Sequence, residues 1–471
     1  MIEGLKPYPE YKESGQSWLG RTPLHWTRLP NRAIFQEVKD RYHPQEEMLS
    51  VTIARGIVRQ NLLLSDSSKK DSSNVNKSAY KLVQPGDIAY NKMRAWQGAL
   101  GASELRGIIS PAYVVMRPRA NVNSSYFHHL YRTPAFAKEA EHWSYGITSD
   151  MWSLRPEHFR VISSVLPPPD EQTAIVRFLD HANQQIDRFI RAKRKLIALL
   201  NEQKQAIIHH AVTRGLNPDA PLKPSGIPWL GDIPDHWKVL KLGRLIRLLT
   251  GFPFPSDQFT ADPGATRLLR GINVTTTSTR WTETVFWKRK ASDGLDEFEL
   301  RPGDVVLGMD RPIIASGVRA SMITEYDLPA LLLQRVARLR PKVHLTSAYL
   351  LLTLRSQLFS DFIAPLFTGI SVPHLSPEQI CSFKLAIPPL TEQNEIVSFI
   401  SSDNQSLNSA ITRTEREIAL MQEYRTRLTA DIVTGKLDVR EAAANLPGIR
   451  IDQEPVPDDS TDQEEAETDP I

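Results

Sequence analysis

Two segments of the chain space their apolar and polar positions as long paired helices do. A heptad pattern with apolar side chains at most of its a and d positions runs from Leu179 to Ile207 and again from Ile400 to Leu428. Sustained a and d spacing over about four heptads is typical of a coiled coil, and an Asn at an a position fixes its register. The pattern therefore predicts two long helices that pair. The seam positions singled out are Asn183, Ile186, Ile190, Ile197 and Leu200 in the first helix and Asn404, Leu407, Ile411, Ile418 and Met421 in the second.

The segments before these helices alternate short apolar runs with turn residues. Pro-Gly-Asp turns precede runs rich in β-branched residues, as in "QPGDIAY" and "RPGDVVLG", and Gly and Pro punctuate the sequence throughout. This composition predicts a mixed α/β (α+β) fold. The predicted parts are a first globular domain at 1–166, a helix at 167–216, a second globular domain at 217–387, a helix at 388–438 and an acidic tail at 439–471.

The two halves of the chain repeat each other. Aligned without gaps, Leu166–Leu216 and Ile387–Leu437 share 17 identities in 51 positions, which indicates duplication. The segments that open the halves, "SWLGRTPLHW" and "PWLGDIPDHW", also match. Each helix leads out of one globular domain, so two helices that pair must run antiparallel. We therefore expect two globular domains related by a pseudo-two-fold axis and separated by the paired helices.

Each repeated helix starts with a proline-rich phrase, "LPPPDEQ" or "IPPLTEQ". Proline cannot continue a central strand, and Asp170 and Thr391 are favourable N-cap residues. Glu171 and Glu392 then lie where the helix dipole favours a negative charge. We interpret the phrase as a junction between a strand and a helix, with no catalytic role for its carboxylates.

Charge and cysteine content narrow the class of protein. The formal net charge is +3, but Asp452–Ile471 holds nine acidic and no basic residues, so residues 1–451 carry 57 basic against 45 acidic side chains. Such an excess suits an anionic partner such as nucleic acid. The single cysteine, Cys381, allows no internal disulfide. With no signal-peptide pattern at the N-terminus and no run of eighteen apolar residues, we expect a cytoplasmic protein without a membrane partner.

Taken together, these motifs resemble the specificity subunits of type I restriction-modification enzymes. The resemblance rests on both Pro-Pro-x-x-Glu-Gln helix starts, the helix exits "AVTRGL" and "IVTGKL", and both opening segments. It implies two target-recognition domains that each read half of a bipartite double-stranded DNA sequence. It also implies helices that space these domains and dock two methyltransferase subunits, with motor-nuclease restriction subunits joining that core. The resemblance places the chain in DNA methylation and phage defence in a bacterial or archaeal cytoplasm.

The chain lacks the motifs of the chemistry that such a complex performs. "NPDA" and "DPGA" lack the second proline and the aromatic residue of an adenine methyltransferase motif, and "TGKL" is not part of a phosphate-binding loop. We expect no catalytic residue, metal or cofactor in this chain, with S-adenosylmethionine, ATP and Mg²⁺ used by the partner subunits. Two alternatives stay open: a nuclease or methyltransferase with an unrecognised active site, and a coiled-coil scaffold without sequence preference.

Candidate DNA contacts lie in loops of the two globular domains that differ between the halves. Arg, Lys, Asn, Ser, Thr and aromatic side chains are the residue types that reach phosphates and base edges. "YNKMRAW" follows a predicted strand, and "SYGITSD" and "FTGISVPH" share a glycine-containing loop before the helix junction. The predicted DNA-binding residues are Tyr90, Lys92, Arg94, Trp96, Tyr145, Thr148, Ser149, Arg270, Asn273, Arg311, Ser371 and His374.

Overall fold

The computed structural model describes residues 5–65, 77–146, 152–314, 316–367 and 373–447. The chain divides into two compact units, one made of residues 1–193 with 416–471 and the other of residues 194–415. Each unit thus contains one of the predicted globular domains and a part of each long helix.

The secondary structure alternates short strands with short helices outside the two long ones. The strands are β1 Tyr11–Glu13, β2 Arg21–Pro23, β3 Thr27–Pro30, β4 Phe35–Val38, β5 Leu49–Thr52, β6 Gly56–Arg59, β7 Lys81–Val83, β8 Ile88–Asn91, β9 Leu100–Ala102, β10 Gly107–Ile109, β11 Tyr113–Pro118, β12 Ser163–Leu166, β13 Leu222–Pro224, β14 Asp232–Pro234, β15 Lys238–Lys241, β16 Ile246–Thr250, β17 Thr266–Leu269, β18 Phe286–Trp287, β19 Val305–Gly308, β20 Ile313–Ile314, β21 Gly317–Val318, β22 Ala320–Met322, β23 Ala330–Leu332, β24 Val336–Pro341 and β25 Lys384–Ile387. The α-helices are α1 Asn31–Ile34, α2 Gln60–Ser65, α3 Ser124–Tyr131, α4 Pro134–His142, α5 Pro156–Val161, α6 Pro169–Arg214, α7 Leu242–Leu245, α8 Ser347–Leu354, α9 Gln357–Ile363, α10 Pro377–Ser382, α11 Leu390–Val433 and α12 Arg440–Ala444.

Both units are built on a four-stranded antiparallel sheet. Its order is β4-β11-β8-β9 in the first unit and β16-β24-β19-β22 in the second. A second pairing also recurs, because the strand before each long helix pairs with the strand after the opening segment, β12 with β3 and β25 with β15. The units differ in their additional strands: the second has a three-stranded sheet, β18-β17-β23, in which β17 and β23 run parallel. The predicted mixed α/β class is confirmed.

The Pro-Gly-Asp turns form the same ion pair in each sheet. Asp87 and Asp304 are buried, and each accepts two hydrogen bonds from an arginine on the neighbouring strand, Arg117 at 2.9 Å and Arg340 at 2.6 and 2.7 Å. Each carboxylate also accepts a backbone N–H of its own turn. Bidentate pairs of this kind fix geometry as well as energy. The repeated Arg-Pro dipeptides of the sequence therefore tie the middle strand of each sheet to the turn before its neighbour.

With Asp170 and Thr391 as N-caps, the helices would begin at Glu171 and Glu392, but both begin two residues earlier. The first starts at Pro169 and the second at Leu390, and the carbonyl groups of Pro168 and Pro389 accept the first helical hydrogen bonds at 2.9 Å. The expectation that Asp170 and Thr391 are the N-caps is therefore wrong. Proline fits the first position of a helix because its missing N–H would be unpaired there.

The glutamates of the repeated phrase accept hydrogen bonds from the His and Trp side chains of the opening segments. The carboxylate of Glu171 is buried and accepts hydrogen bonds from Tyr8, from His25 Nε2 at 2.8 Å and from Trp26 Nε1 at 2.9 Å. In the second unit, Glu392 accepts from His236 Nε2 at 2.9 Å and Trp237 Nε1 at 3.0 Å. A charged acceptor with several donors makes stronger hydrogen bonds than a neutral one. The repeated His-Trp dipeptides and the repeated glutamates thus belong to one structural joint.

The glutamine after each glutamate hydrogen-bonds to the backbone of two other segments of the same unit. Gln172 accepts the backbone N–H of Asn123 at 2.8 Å and donates to the carbonyl of Pro167 at 2.8 Å. Gln393 accepts the backbone N–H of Thr346 at 2.9 Å and donates to the carbonyl of Pro388 at 3.0 Å. The Glu-Gln pair therefore connects each helix start to two other parts of its unit, which is why both copies keep it.

The two long helices pack together in antiparallel register. In the first unit, Lys193 Nζ lies 2.6 Å from Glu417 Oε2, and Arg425 pairs with Asp187. In the second unit, Lys204 Nζ donates to Asn408 Oδ1 at 2.9 Å. The helices contain 46 and 44 residues, or about 69 and 66 Å at 1.5 Å per residue. The predicted antiparallel pair is confirmed.

The singled-out seam positions of both helices are all buried or half-buried in the described chain. Ile186 and Ile190 are buried in the first helix, as Asn404 is in the second, whereas most positions between seam residues are exposed. The polar seam residues Lys193, Lys204 and Arg425 each have a partner on the other helix. The remaining singled-out positions, Asn183, Ile197, Leu200, Leu407, Ile411, Ile418 and Met421, are half-buried.

Candidate nucleic-acid interface

One end of each four-stranded sheet gathers the loops that differ between the units. In the first unit, the ends of β4 and β8 and the beginnings of β9 and β11 meet at this end. In the second unit, the ends of β16 and β19 and the beginnings of β22 and β24 do so. We call this the loop end of each sheet. The Pro-Gly-Asp turns lie at the opposite end, so the loops at the loop end can vary without disturbing the joint to the long helices.

Four cationic side chains lie near one another in the first unit, at the loop end. Lys39 and Arg41 follow β4, Lys81 begins β7, and Lys92 follows β8. The ammonium group of the buried Lys81 donates to the carbonyl of Tyr113, the first residue of β11.

Burial and neighbouring charge both act on Lys81. Burial, followed by the positive charge of Lys92 and those of Arg41 and Lys39, lowers the pKa of Lys81 to about 8, although Glu37 opposes the shift. Like charges disfavour the protonated form of a lysine. Burial is the larger cause of the shift, and the neighbouring cations add positive charge at this end of the sheet, which favours an anion.

The predicted contacts of the first unit fall in different environments. Lys92 and Arg94 are half-buried in the turn after β8. Trp96 packs edge-to-face on Trp152 with ring centroids 5.5 Å apart. Tyr145 is 61% exposed and lies beside the first turn of α5. Thr148 and Ser149 lie outside the described residues.

The prediction for Tyr90 is wrong in this conformation. Its side chain is 1% exposed and stacks on Phe159, with ring centroids 5.1 Å apart, inside the core of the first unit. Tyr90 is the third residue of β8, and both faces of this strand are buried up to that residue. A buried ring cannot touch a base edge, so Tyr90 is a core residue.

In the second unit, the side chains of Arg335 and His374 both contact the carboxylate of Asp310. Asp310 Oδ2 accepts from Arg335 Nη1 at 2.7 Å, and Asp310 Oδ1 lies 2.6 Å from His374 Nδ1. Arg311, the next residue, is exposed, and its backbone N–H donates to the carbonyl of Pro373 at 2.8 Å. Partial burial would raise the pKa of Asp310, but the hydrogen bonds from Arg335 and His374 outweigh it and lower that pKa. Asp310 is therefore held as a carboxylate.

The half-buried Arg319 holds the backbone beside this group. Arg319 donates to the carbonyl of Asp310 at 3.2 Å, to that of Val274 at 3.1 Å and to that of Gly271. Burial lowers the pKa of Arg319. Because its guanidinium joins two loops that are distant in sequence, Arg319 fixes the loop after β17 against the loop after β19.

Of the two candidates in the loop after β17, Arg270 is half-buried and Asn273 is buried. Arg270 is half-buried and donates to the carbonyl of Glu283. Asn273 is 2% exposed: its amide donates to the carbonyl of Arg280 at 2.8 Å and accepts the backbone N–H of Arg270 at 3.0 Å. The prediction that Asn273 reads a base is wrong here, since both ends of its amide are used to hold the loop. Ser371 lies outside the described residues.

Several residues of the loop ends were missed in the sequence. Lys39, Arg41 and Lys81 precede or follow short strands whose pairing the sequence did not reveal. Arg335 stands in "LLLQRVARL", where the polar pair Gln334-Arg335 separates two apolar runs and so marks a turn between strands. That signal was available, but its proximity to Asp310 depends on the pairing of β19 with β24.

Among the described residues, no group of three or more His, Cys, Asp or Glu side chains is arranged to hold a metal ion. Over the same part of the chain, the helices include none with an apolar stretch long enough to cross a bilayer.

Comparison with known proteins gives a consistent assignment. Residues 234–418 match the family model described as the type I restriction modification DNA specificity domain. The chain is 26% identical to the type I restriction enzyme MjaVIII specificity subunit of Methanocaldococcus jannaschii over 60% of this chain and 64% of that protein. It is 29% identical to the EcoAI specificity subunit of Escherichia coli over 45% of this chain and 36% of that protein. The chain thus spans less than two thirds of either relative.

A solved structure on complex assembly and conformational transition of the type I R-M system contains a chain of similar fold. The TM-score is 0.64 at 15% sequence identity, and the match covers 88% of this chain and 99% of that one. At this identity the similarity concerns the fold.

Proposed function

We propose that the chain is a non-catalytic DNA specificity subunit of a type I restriction-modification system and that it binds a bipartite duplex DNA sequence. The family-model match at residues 234–418 and the similarity to two specificity subunits support this proposal. Each globular domain reads one half of the sequence through the loop end of its sheet. The observation that carries the proposal is the cationic group at the loop end of both sheets, on a frame that the two units share. Double-stranded DNA carries one negative charge per about 1.7 Å of its axis, so clustered cations supply affinity.

The charged side chains of the first unit suit contacts to phosphates, and those of the second unit suit contacts to base edges. In the first unit, Lys39, Arg41, Lys81 and Lys92 supply positive charge at the loop end, where Lys39 also forms an ion pair with Glu37. Contacts of this type position a protein on phosphates without reading sequence. In the second unit, the exposed side chains of Arg335 and His374 are held in a defined orientation by Asp310. Oriented donors and acceptors favour contacts to base edges.

The partners follow from the same proposal. The paired helices α6 and α11 dock two methyltransferase subunits, and motor-nuclease restriction subunits join that complex. S-adenosylmethionine, ATP and Mg²⁺ serve those partners, and the complex acts in a bacterial or archaeal cytoplasm. The division of the chain into recognition domains at 1–166 and 217–387, spacer helices at 167–216 and 388–438 and a tail at 439–471 belongs to this proposal.

An exchange of one domain tests the proposal. Residues 228–386 are replaced by the corresponding segment of a relative with a different target, and the hybrid is expressed with the methyltransferase subunit. The exchange leaves both long helices, Glu171 and Glu392 in place, and a donor segment that keeps the His-Trp dipeptide can pair again with Glu392, so the hybrid should assemble. Methylome sequencing of the host should then show one half of the bipartite target changed and the other retained.

The reciprocal exchange of residues 17–166 is the matched control and should change the other half. A hybrid that alters both halves, or neither, would contradict one reader per domain. Purified chain incubated with target DNA, Mg²⁺ and S-adenosylmethionine should neither cleave nor methylate; turnover that persists in highly purified protein would favour an enzyme instead.

A further inference from the structure

We propose that Arg335 reads a guanine in the half-site bound by the second unit, and that Asp310 is the positioning residue that holds Arg335 for this contact. The inference rests on the proposed DNA-binding function and adds a base and two residues to it. It starts from an ion pair that the sequence did not predict.

The ion pair with Asp310 uses only Nη1 of Arg335, so the other donors of its guanidinium remain available to a base. Its Nη1 donates to Asp310 Oδ2 at 2.7 Å, while its side chain is 67% exposed. Within the described residues, no hydrogen-bond partner contacts its Nε or Nη2. Guanine presents two acceptors, O6 and N7, in the major groove, and an arginine that keeps two donors free can bind both. Anchoring by a carboxylate also reduces the rotamer freedom that binding would otherwise remove.

The backbone of Arg335 adopts a conformation that a side chain with a Cβ rarely takes. Its φ is +66°, in the left-handed region, where glycine or asparagine is the usual occupant. The backbone N–H of Met309 donates to the carbonyl of Arg335 at 2.9 Å and holds this turn against the end of β19. A strained residue kept in place by its neighbours is a feature of functional positions.

The same frame in the first unit lacks this group of side chains. The first residue of β11, Tyr113, pairs with Asn91, and the first residue of β24, Val336, pairs with Gly308. Arg335, which precedes Val336, therefore corresponds to Ala112. In the two units, the backbone N–H of Leu154 or Leu375 donates at 2.9 Å to the carbonyl of Lys92 or Met309.

This second correspondence aligns Met93 with Asp310 and Ser153 with His374. The frame is shared, but none of the three first-unit residues is charged. Two domains that read different sequences must differ where they touch bases and agree where they fold. The difference between the units is therefore located where a base contact is needed.

A second side chain completes the group around Asp310. His374 Nδ1 lies 2.6 Å from Asp310 Oδ1, and the ring is half-exposed. A hydrogen bond from Nδ1–H to the carboxylate fixes the tautomer and leaves Nε2 as an acceptor in the neutral ring. Asp310 thus holds one donor and one acceptor side by side. As a stabilising device alone this arrangement would contribute little, because exposed ion pairs add little to folding stability.

The experiment uses the full chain in complex with its methyltransferase subunits. Arg335→Ala is compared with wild type by methylome sequencing in cells and by binding of duplexes that carry each base pair at every position of the target. The variant should lose roughly 5- to 150-fold in affinity for the original target, as expected for one bidentate contact. Its preference should relax at a single G·C pair of the half-site that changes when residues 228–386 are exchanged.

Arg244→Ala is the matched control. Arg244 is an exposed arginine in the same unit, in α7, just before the end of β16 that lies opposite the loop end. This variant removes the same charge but should keep the wild-type base preference at every position. Equal loss in both variants would show that Arg335 acts through net charge alone and would overturn the proposal.

Asp310→Asn tests the positioning role. It should relax the same base pair as Arg335→Ala, and the double variant should be no weaker than Arg335→Ala alone, because both changes remove one interaction. A purely structural Asp310 would instead lower the melting temperature, reduce methylation without changing base preference, and add to the effect of Arg335→Ala.

The results separate this inference from the function on which it rests. Wild-type chain that directs no bipartite methylation would overturn both. Bipartite methylation by wild type, combined with an unchanged base preference in Arg335→Ala, would overturn only the role of Arg335.

Discussion

At the scale of single residues, Lys81 shows how a folded chain creates a charge environment that composition does not reveal. The lysine is buried at the start of β7, and the ammonium donates to the carbonyl of Tyr113. Burial and Lys92 are the main reasons that its pKa falls to about 8. An unfolded lysine titrates near 10.4. Between about pH 8 and 10.5 the unfolded state therefore binds more protons, and the free energy of unfolding rises with pH through that window.

We expect Lys92→Met to raise the pKa of Lys81 toward 10.5, because the substitution removes the strongest neighbouring positive charge while burial remains. NMR titration of the lysine side chains measures this pKa directly. The exposed Lys138 on α4 offers the control Lys138→Met, which should leave Lys81 unchanged. A pKa for Lys81 that stays near 8 in Lys92→Met would show that burial alone sets it and that the cations do not form one site.

At the scale of secondary-structure elements, the polar seam residues of α6 and α11 define the register of the pair. Apolar seam positions tolerate slippage by a whole heptad, whereas an ion pair is satisfied in one alignment. In the first unit, that alignment brings Lys193 to Glu417 and Arg425 to Asp187. In the second unit it brings Lys204 to Asn408. Polar residues at seam positions, which weaken the heptad pattern in the sequence, therefore specify how the helices meet.

A charge exchange tests this register. Lys193→Glu and Glu417→Lys should each lower the free energy of unfolding by about 0.5–1 kcal/mol, because each places like charges together at a partly exposed position. The double variant should recover most of the loss, as measured by denaturant unfolding in a double-mutant cycle. Lys195→Glu, at an exposed position of α6, changes the net charge equally and should show no coupling to Glu417→Lys. Additive effects of Lys193→Glu and Glu417→Lys would contradict the observed pairing.

At the scale of the whole molecule, the proposed function gives the paired helices a measuring role. The register places Ala198 close to residues 412–414 on α11, because Lys193 meets Glu417 and Lys204 meets Asn408. We expect insertion of one heptad after Ala198 together with one after Thr412 to keep the seam and lengthen the pair by about 10 Å. At about 3.4 Å per base pair, the spacer between the half-sites should grow by roughly three base pairs.

Methylome sequencing reads the new spacer directly. A heptad inserted into only one helix is the control and should abolish assembly, since half of the seam then loses its partner. A double insertion that keeps the original target and spacer with full methylation would mean that the helices do not measure DNA.

The sequence by itself determined the duplication, the mixed α/β class, the antiparallel helix pair and the absence of recognisable catalytic motifs. These features are local or periodic: a heptad, a turn before an apolar run, or a phrase written twice carries its signal in neighbouring residues. It also marked the Glu-Gln phrase as a structural junction, although the helices start two residues earlier than the expected N-caps imply.

Only the tertiary structure decided which side chains meet at the loop ends. Tyr90 and Asn273 are of residue types that read bases, yet burial assigns both to the interior. Arg335 and Asp310 are 25 residues apart and meet because β19 pairs with β24. A DNA contact depends on which face of a strand a residue occupies and on which loops converge. Long-range pairing fixes both properties, and one sequence without its fold does not display them.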